Sequence, residues 1–158
     1  MINTPYKTTF ENLEDMQNHI DKEIGLSEWL TIDQETIDGF AKFTRDEQWI
    51  HVDVERSVKY SPYKTTIAHG FLVLSMASHF SSECIAFKDV GMGVNYGLDK
   101  VRFTNATPVG AKIRGRISLM ECIVKGSRAK YKLKLVIELH GQEKPACIAE
   151  WIGLAYKA

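Results

Sequence analysis

Apolar residues recur at helical spacing in the first half of this chain and at strand spacing in the second. Phe10, Leu13, Met16, Ile20 and Ile24 follow one another at three- and four-residue steps, which predicts an amphipathic first helix that Gly25 can stop. A short strand is expected over Ser27 to Ile32. Asp33 then reads as an N-cap, with Ile32 before it and Ile37 placed to form a hydrophobic staple, and its helix runs to about Thr44. From Arg45 to Thr66 charged and aromatic residues mix without a period, and Ser61-Pro62 marks a turn, as in a long excursion carrying functional groups. A further helix is predicted from about Gly70 to Ala86. Phe71, Leu72, Val73, Leu74, Met76 and Ala77 make its first two turns apolar nearly all round, so it must be covered on most sides.

The second half supplies the cover. Ala129, Tyr131, Leu133, Leu135, Ile137 and Leu139 alternate with Lys130, Lys132, Lys134, Val136, Glu138 and His140, a period of two that a half-buried strand satisfies. Ile113, Ile117 and Leu119 alternate with Lys112, Arg114, Arg116 and Ser118 in the same way. Further strands are expected over Met92 to Thr104 and Ala146 to Tyr156. Helices followed by a run of strands argue for an α+β fold in which one long apolar helix is wrapped by a curved antiparallel sheet. No repeat or linker interrupts residues 1–158, so a single domain is expected.

Charge and composition then remove several classes of function. Lys plus Arg equals Asp plus Glu at 20 each, so no overall field draws the chain to nucleic acid or an anionic membrane. The longest apolar run, Gly70 to Ala77, falls well short of the roughly 20 residues that span a bilayer, and no signal pattern opens the chain; a cytoplasmic location is the expectation. Cys84, Cys122 and Cys147 sit among apolar neighbours and read as buried reduced thiols. The five histidines form no HExxH and pair with no cysteine at ligand spacing, so no metal is implied. Gly91, Gly93 and Gly97 do not make a dinucleotide fingerprint, and Ser75 and Ser78 lack a nucleophile elbow. Lys125, Arg128, Lys130, Lys132 and Lys134 alternate with apolar residues and read as a solvated strand face.

The candidate chemistry lies in Phe43-Thr44-Arg45-Asp46-Glu47-Gln48-Trp49-Ile50-His51 and in Ile67-Ala68-His69-Gly70-Phe71-Leu72. Asp46 and His51, five residues apart in one loop, can hold, accept or release a proton near neutral pH if a partly dry pocket holds them. Gly70 lacks a Cβ, which lets a carbonyl come close, and its N–H at a helix start is one of the unpaired donors there. An oxyanion could sit on it. His69 reads as a local hydrogen-bonding residue at the helix start. Lys100 and Arg102 either approach a phosphate or pair with Asp99.

These segments, with Asn95-Tyr96-Gly97-Leu98-Asp99-Lys100-Val101-Arg102-Phe103, resemble the MaoC-like dehydratases, the (R)-specific enoyl-CoA hydratase branch of the hot-dog fold. The likeness is closest to the nodulation-protein-N-like members and spans Ile24 to about Arg114. The hydratase signature runs Gly-Asp, a variable residue, Asn-Pro, an aliphatic residue and His. This chain keeps the Asp-to-His interval, places Arg45 at the glycine and Gln48-Trp49 at Asn-Pro, the latter a form the nodulation-protein-like members share. Arg45 could instead steady a phosphate.

The resemblance implies reversible hydration of a trans-2-enoyl thioester to an (R)-3-hydroxyacyl thioester. Asp46 and His51 would hold one water, His51 taking its proton as it attacks C3 and Asp46 handling the proton at C2. The Gly70 amide would meet the charge on the thioester oxygen, and Ser78 would stand near the pair. Coenzyme A, or an acyl carrier protein, would enter only as part of the substrate, with no separate cofactor. A homodimer or higher homo-oligomer with the thioester along the subunit boundary is also implied. An acyl thioester hydrolase on the same fold and a catalytically idle acyl-CoA-binding protein are the rival readings.

Overall fold

The computed structural model describes residues 3–158. Its first element is a strand where the apolar spacing predicts a helix. β1 (Tyr6–Phe10) leads through one helical turn, α1 (Leu13–Met16), and a 3-10 turn at Gln17–His19 into β2 (Glu23–Leu26). Leu13 and Met16 are buried from the turn, whereas Phe10 and Ile24 reach the core from strands on either side of it. Three- and four-residue apolar steps are produced as well by strand, turn and strand as by helix, and the Thr8-Thr9 pair favours the strand. Gly25 is not a helix stop. It lies in β2, where a Cβ would meet the Cys84 side chain and stand 2.7 Å from the Cys84 carbonyl oxygen, so glycine there lets a helix rest on the strand.

Of the strand expected over Ser27 to Ile32, only β3 (Leu30–Thr31) is paired; Ser27 instead clamps Gly115, accepting its N–H on Oγ at 2.8 Å and donating its own N–H to the Gly115 carbonyl at 2.9 Å. α2 (Gln34–Thr44) starts at Asp33, whose carboxylate accepts from Thr36 N at 2.8 Å as the capping pattern predicts. The irregular stretch after it contains α3 (Trp49–Val52) and α4 (Val54–Tyr60), the second capped by Asp53 through Arg56 N at 2.9 Å. The central helix arrives as α5 (Gly70–Ser75) and α6 (Ala77–Cys84), abutting at Met76. It ends short of Ala86 because β4 (Ile85–Phe87) pairs in parallel with β1.

β5 (Val90–Phe103), β6 (Lys112–Lys125), β7 (Arg128–Leu139) and β8 (Cys147–Lys157) fall where strands are expected, and alternating burial is clearest in β7 and β8. The sheet order is β4-β1-β2-β6-β7-β8-β5 with β3 paired to β6, and every pairing but β1–β4 is antiparallel. α5 and α6 lie on one face, where Leu72, Val73, Ala77, Phe80 and Cys84 pack with Ile113, Ile117, Leu133, Leu135 and Ile137 in one core. On the other face Arg114 and Arg116 bind the two oxygens of Glu138, each at 2.6 Å, and Arg116 also meets Glu23 at 2.9 Å. The result is the expected α+β arrangement, an apolar helical axis covered by a curled and mostly antiparallel sheet. Cys84, Cys122 and Cys147 are buried and unbridged, and burial pushes the Cys84 thiol up to about 12. Among the described residues no helix is long and apolar enough to cross a membrane.

Candidate active site

Two chain segments, held together by backbone pairing, bring the candidate residues to one place. Ile67 N donates to the Ile50 carbonyl at 3.1 Å, Ala68 N to the Thr107 carbonyl at 2.8 Å, and Ile67 bridges to Pro108. α3 is a single turn, too short to orient a side chain by itself, so His51 is fixed by what it touches. Its Nδ1 lies 2.6 Å from the Ile67 carbonyl oxygen. Because that oxygen only accepts, Nδ1 carries the proton, and Nε2 keeps its lone pair as a base. Gln34 braces the same junction: its amide donates to the His51 carbonyl at 2.8 Å, and its oxygen accepts from the Thr66 hydroxyl at 2.6 Å.

His51 is 6% exposed and lines a hollow of about 330 Å³ together with Tyr63, Ile67, Gly70, Phe103 and Thr107. Burial lowers the His51 pKa below the ordinary histidine value, the Ile67 hydrogen bond opposes that, His69 lowers it further and the Asp46 charge raises it. The imidazole is therefore neutral at pH 7, as a base must be. Gly70 is the first residue of α5, where a helix leaves its N–H without an intrahelical acceptor. The place of its missing Cβ is taken by the Phe103 ring, whose carbons would stand 2.8 Å from such an atom.

Asp46 follows Arg45, which ends α2 in the left-handed region at φ +62°, the conformation that glycine takes most easily. The Asp46 carboxylate is about half exposed and is not on the wall of the hollow, but Asp46, His51 and His69 each bring a polar atom within 4.8 Å of the others. The two side chains that spacing singles out thus converge. Ser78 does not join them: it lies on α6, accepts from Asn95 Nδ2 at 3.4 Å, and opens on a separate hollow between that helix and β5. Lys100 pairs with Glu150 at 3.0 Å and Arg102 donates to its neighbour's carbonyl, while Asp99 is taken by Lys132 at 2.8 Å.

His69, read from sequence as local, makes a long-range contact instead. Its ring stacks on His51 at 3.7 Å between centroids and 24° between planes, and its Nε2 donates to the Asp46 carbonyl at 2.9 Å. Its position directly before the helix-starting glycine was the available signal; the stack requires the fold. Thr107 was not singled out either, and its buried hydroxyl has no partner among the described residues. The trio Asp46, His51 and His69 has the donor types of a metal site, but nearly parallel stacked rings aim their lone pairs in separate planes, which suits proton transfer better than joint ligation. A bigger hollow of about 500 Å³ on the opposite sheet face is lined by Trp29, Arg114 and Arg116, whose charges are already matched by Glu138 and Glu23.

Comparison with known proteins gives this geometry a family. Residues 15–139 match the model of the MaoC like domain. The chain is 43% identical over 145 residues to Nodulation protein N of Rhizobium leguminosarum bv. viciae, covering 90% of each. It is 40% identical over 146 residues to 3-hydroxyacyl-thioester dehydratase Z of Mycobacterium tuberculosis, covering 91% of this chain and 95% of that one. Among solved structures, the monoamine oxidase regulatory protein from Archaeoglobus fulgius superposes with a TM-score of 0.76 at 24% identity, over 96% of this chain and 97% of that one. The (R)-hydratase from A. caviae superposes with a TM-score of 0.65 at 16% identity, over 80% and 89%. These two show the fold, and the sequence relatives and family model show the rest: the chain belongs to the MaoC-like family.

Proposed function

We propose that the protein adds water to trans-2-enoyl thioesters, giving (R)-3-hydroxyacyl thioesters, and catalyses the reverse dehydration. The observation that carries this reading is the His51 imidazole, buried, neutral and held in the Nδ1–H tautomer by the Ile67 carbonyl, close to Asp46 and on the wall of the same hollow as Gly70. The water oxygen bonds to C3 while its proton passes to His51 Nε2. The electron pair of the C2–C3 double bond takes a proton at C2, which Asp46 relays from His51, so that the hydroxyl and hydrogen of one water end on C3 and C2 and both residues return to their starting states. Negative charge that develops on the thioester oxygen meets the Gly70 N–H, a contact of a kind worth about 3 to 4 kcal/mol. Atoms and charge balance with water alone, so the step calls on no cofactor. The dehydratase name of a relative 40% identical along its length supports the assignment.

The same reading includes a homodimer formed at β5. That strand ends the sheet, runs for 14 residues, and exposes Met92, Val94, Tyr96, Leu98 and Phe103 by 39% to 62%. A long unpaired edge bearing apolar side chains is a surface that a second copy covers by continuing the sheet. Phe103 stands both on this edge and over Gly70, so the second copy would also close the hollow.

A panel of trans-2-enoyl-CoA esters tests the assignment, with loss of the conjugated chromophore followed and product chirality determined. Reversible loss giving the (R)-alcohol is the expected result. Release of free thiol would replace the reading with a thioester hydrolase, and tight binding without turnover would replace it with a binder.

A further inference from the structure

We infer that His69 is a positioning residue that holds both members of the proposed acid–base pair in register, a role that rests on the hydratase reading. His69 touches each of them by a different kind of contact. Its ring packs at a tilt against that of Phe40, 5.0 Å away, and stacks on that of His51, 3.7 Å away, so it covers one face of the His51 imidazole. Its Nε2–H is given to the Asp46 carbonyl at 2.9 Å, across 23 residues of chain. The Asp46 carboxylate oxygen stands 4.0 Å from the same nitrogen. Both members need such support. Asp46 sits in a non-helical stretch just after the left-handed Arg45, with half its carboxylate in solvent, and His51 sits on a four-residue helix.

Packing alone does not account for the imidazole. His69 is 3% exposed and its Nδ1 is buried without a hydrogen-bond partner among the described residues. A buried unsatisfied nitrogen is unfavourable, and a phenyl ring would fill the same space without it. What the imidazole adds over a phenyl ring is the Nε2–H, and that proton goes to the backbone of Asp46. His69 thus ties the carboxylate-bearing loop to the start of α5, directly beside Gly70, and presses the base into one plane. Groups held this way act as one unit, and a displacement of about 1 Å is enough to cost on the order of a hundredfold in rate.

Two substitutions separate donor from ring. His69→Phe keeps a ring against His51 and Phe40 and removes the N–H; His69→Gln restores a donor near Nε2 and gives up the stack. With an enoyl-CoA substrate, His69→Phe is expected to lower kcat about a hundredfold with KM within about threefold, at a melting temperature within a few degrees of the parent. His69→Gln is expected to recover at least a tenfold share of that loss. Backbone NMR order parameters of Arg45 to Gln48 should fall in His69→Phe and recover in His69→Gln, a readout that does not depend on turnover. A parent protein without hydratase activity would remove the functional reading, and the order parameters would still decide whether His69 anchors the loop. Full kcat in His69→Phe, unchanged loop order, or losses in both variants that simply track melting temperature would each overturn the inference.

Discussion

Replacing His51 by Asn removes the proposed base and little else. The Asn amide nitrogen lies close to where Nδ1 stood and can keep donating to the Ile67 carbonyl, now met at 2.6 Å, while nothing replaces Nε2. A positioned general base contributes typically 10² to 10⁴ in rate, or about 3 to 5 kcal/mol of barrier. The structure favours the full range, because the lowered pKa leaves His51 neutral and competent at pH 7 and its burial limits substitution by bulk water. Stability should fall by only about 1 to 2 kcal/mol, the order expected for trimming a buried ring and losing its stack on His69. Steady-state hydration of a short enoyl-CoA, measured beside a thermal melt, reads both effects. A fall in kcat of at least a hundredfold with KM nearly constant is the expected result. A fall of less than tenfold, or a raised KM with kcat intact, would refute the assignment of His51 as base.

Four further outcomes follow from the same geometry. Asp46→Asn should lower kcat at least a hundredfold with little change in melting temperature, since its carboxylate is about half exposed and carries no core packing; near-normal turnover would exclude it from the reaction. The acid limb of kcat/KM should fall at a pH below the ordinary histidine value of about 6.5, because the working form is the neutral imidazole and its pKa is lowered; between the two pKa values the unfolded chain binds the extra proton, so stability also declines as pH drops below about 6.5. Gly70→Val should abolish turnover, since its first added carbon would stand 2.8 Å from the Phe103 ring and force either the ring or the amide out of place; retained activity would put the oxyanion elsewhere. Arg45→Gly should raise the urea midpoint without changing the m-value, by about 0.5 to 1 kcal/mol, because φ +62° costs an L residue what glycine does not lose.

Much of the fold was legible because half-buried strands write their burial directly as alternation. β7 and β8 lie within a few residues of the expected spans, β6 starts where its alternation does and runs on past Leu119 to Lys125, and Asp33 caps α2 through Thr36 as its residue type suggests. The N-terminal segment was not legible. Five apolar residues at three- and four-residue steps describe a helix and a strand–turn–strand equally well, and the deciding partners, Ser118 opposite Glu23 and Ile85 opposite Thr8, lie about 80 to 95 residues away in sequence. The site divides along the same line. Asp46, His51 and Gly70 stand out in the sequence because they sit in short motifs with fixed spacing. The stack of His69 on His51, the brace from Gln34, and the separation of Ser78 from the imidazoles all depend on tertiary approach between segments, which no local pattern records.

The claim at the centre of this account is spatial: one hollow presents a base to C3 and an N–H to the thioester oxygen of the same substrate. A crystal structure with a bound 3-hydroxyacyl-CoA measures it. The account predicts the 3-hydroxyl oxygen within about 3.2 Å of His51 Nε2 and the thioester oxygen within about 3.1 Å of the Gly70 nitrogen, with the acyl group in the hollow bounded by Thr107 and Phe103. A ligand ordered elsewhere on the sheet, with His51 Nε2 facing no substrate atom, would contradict it.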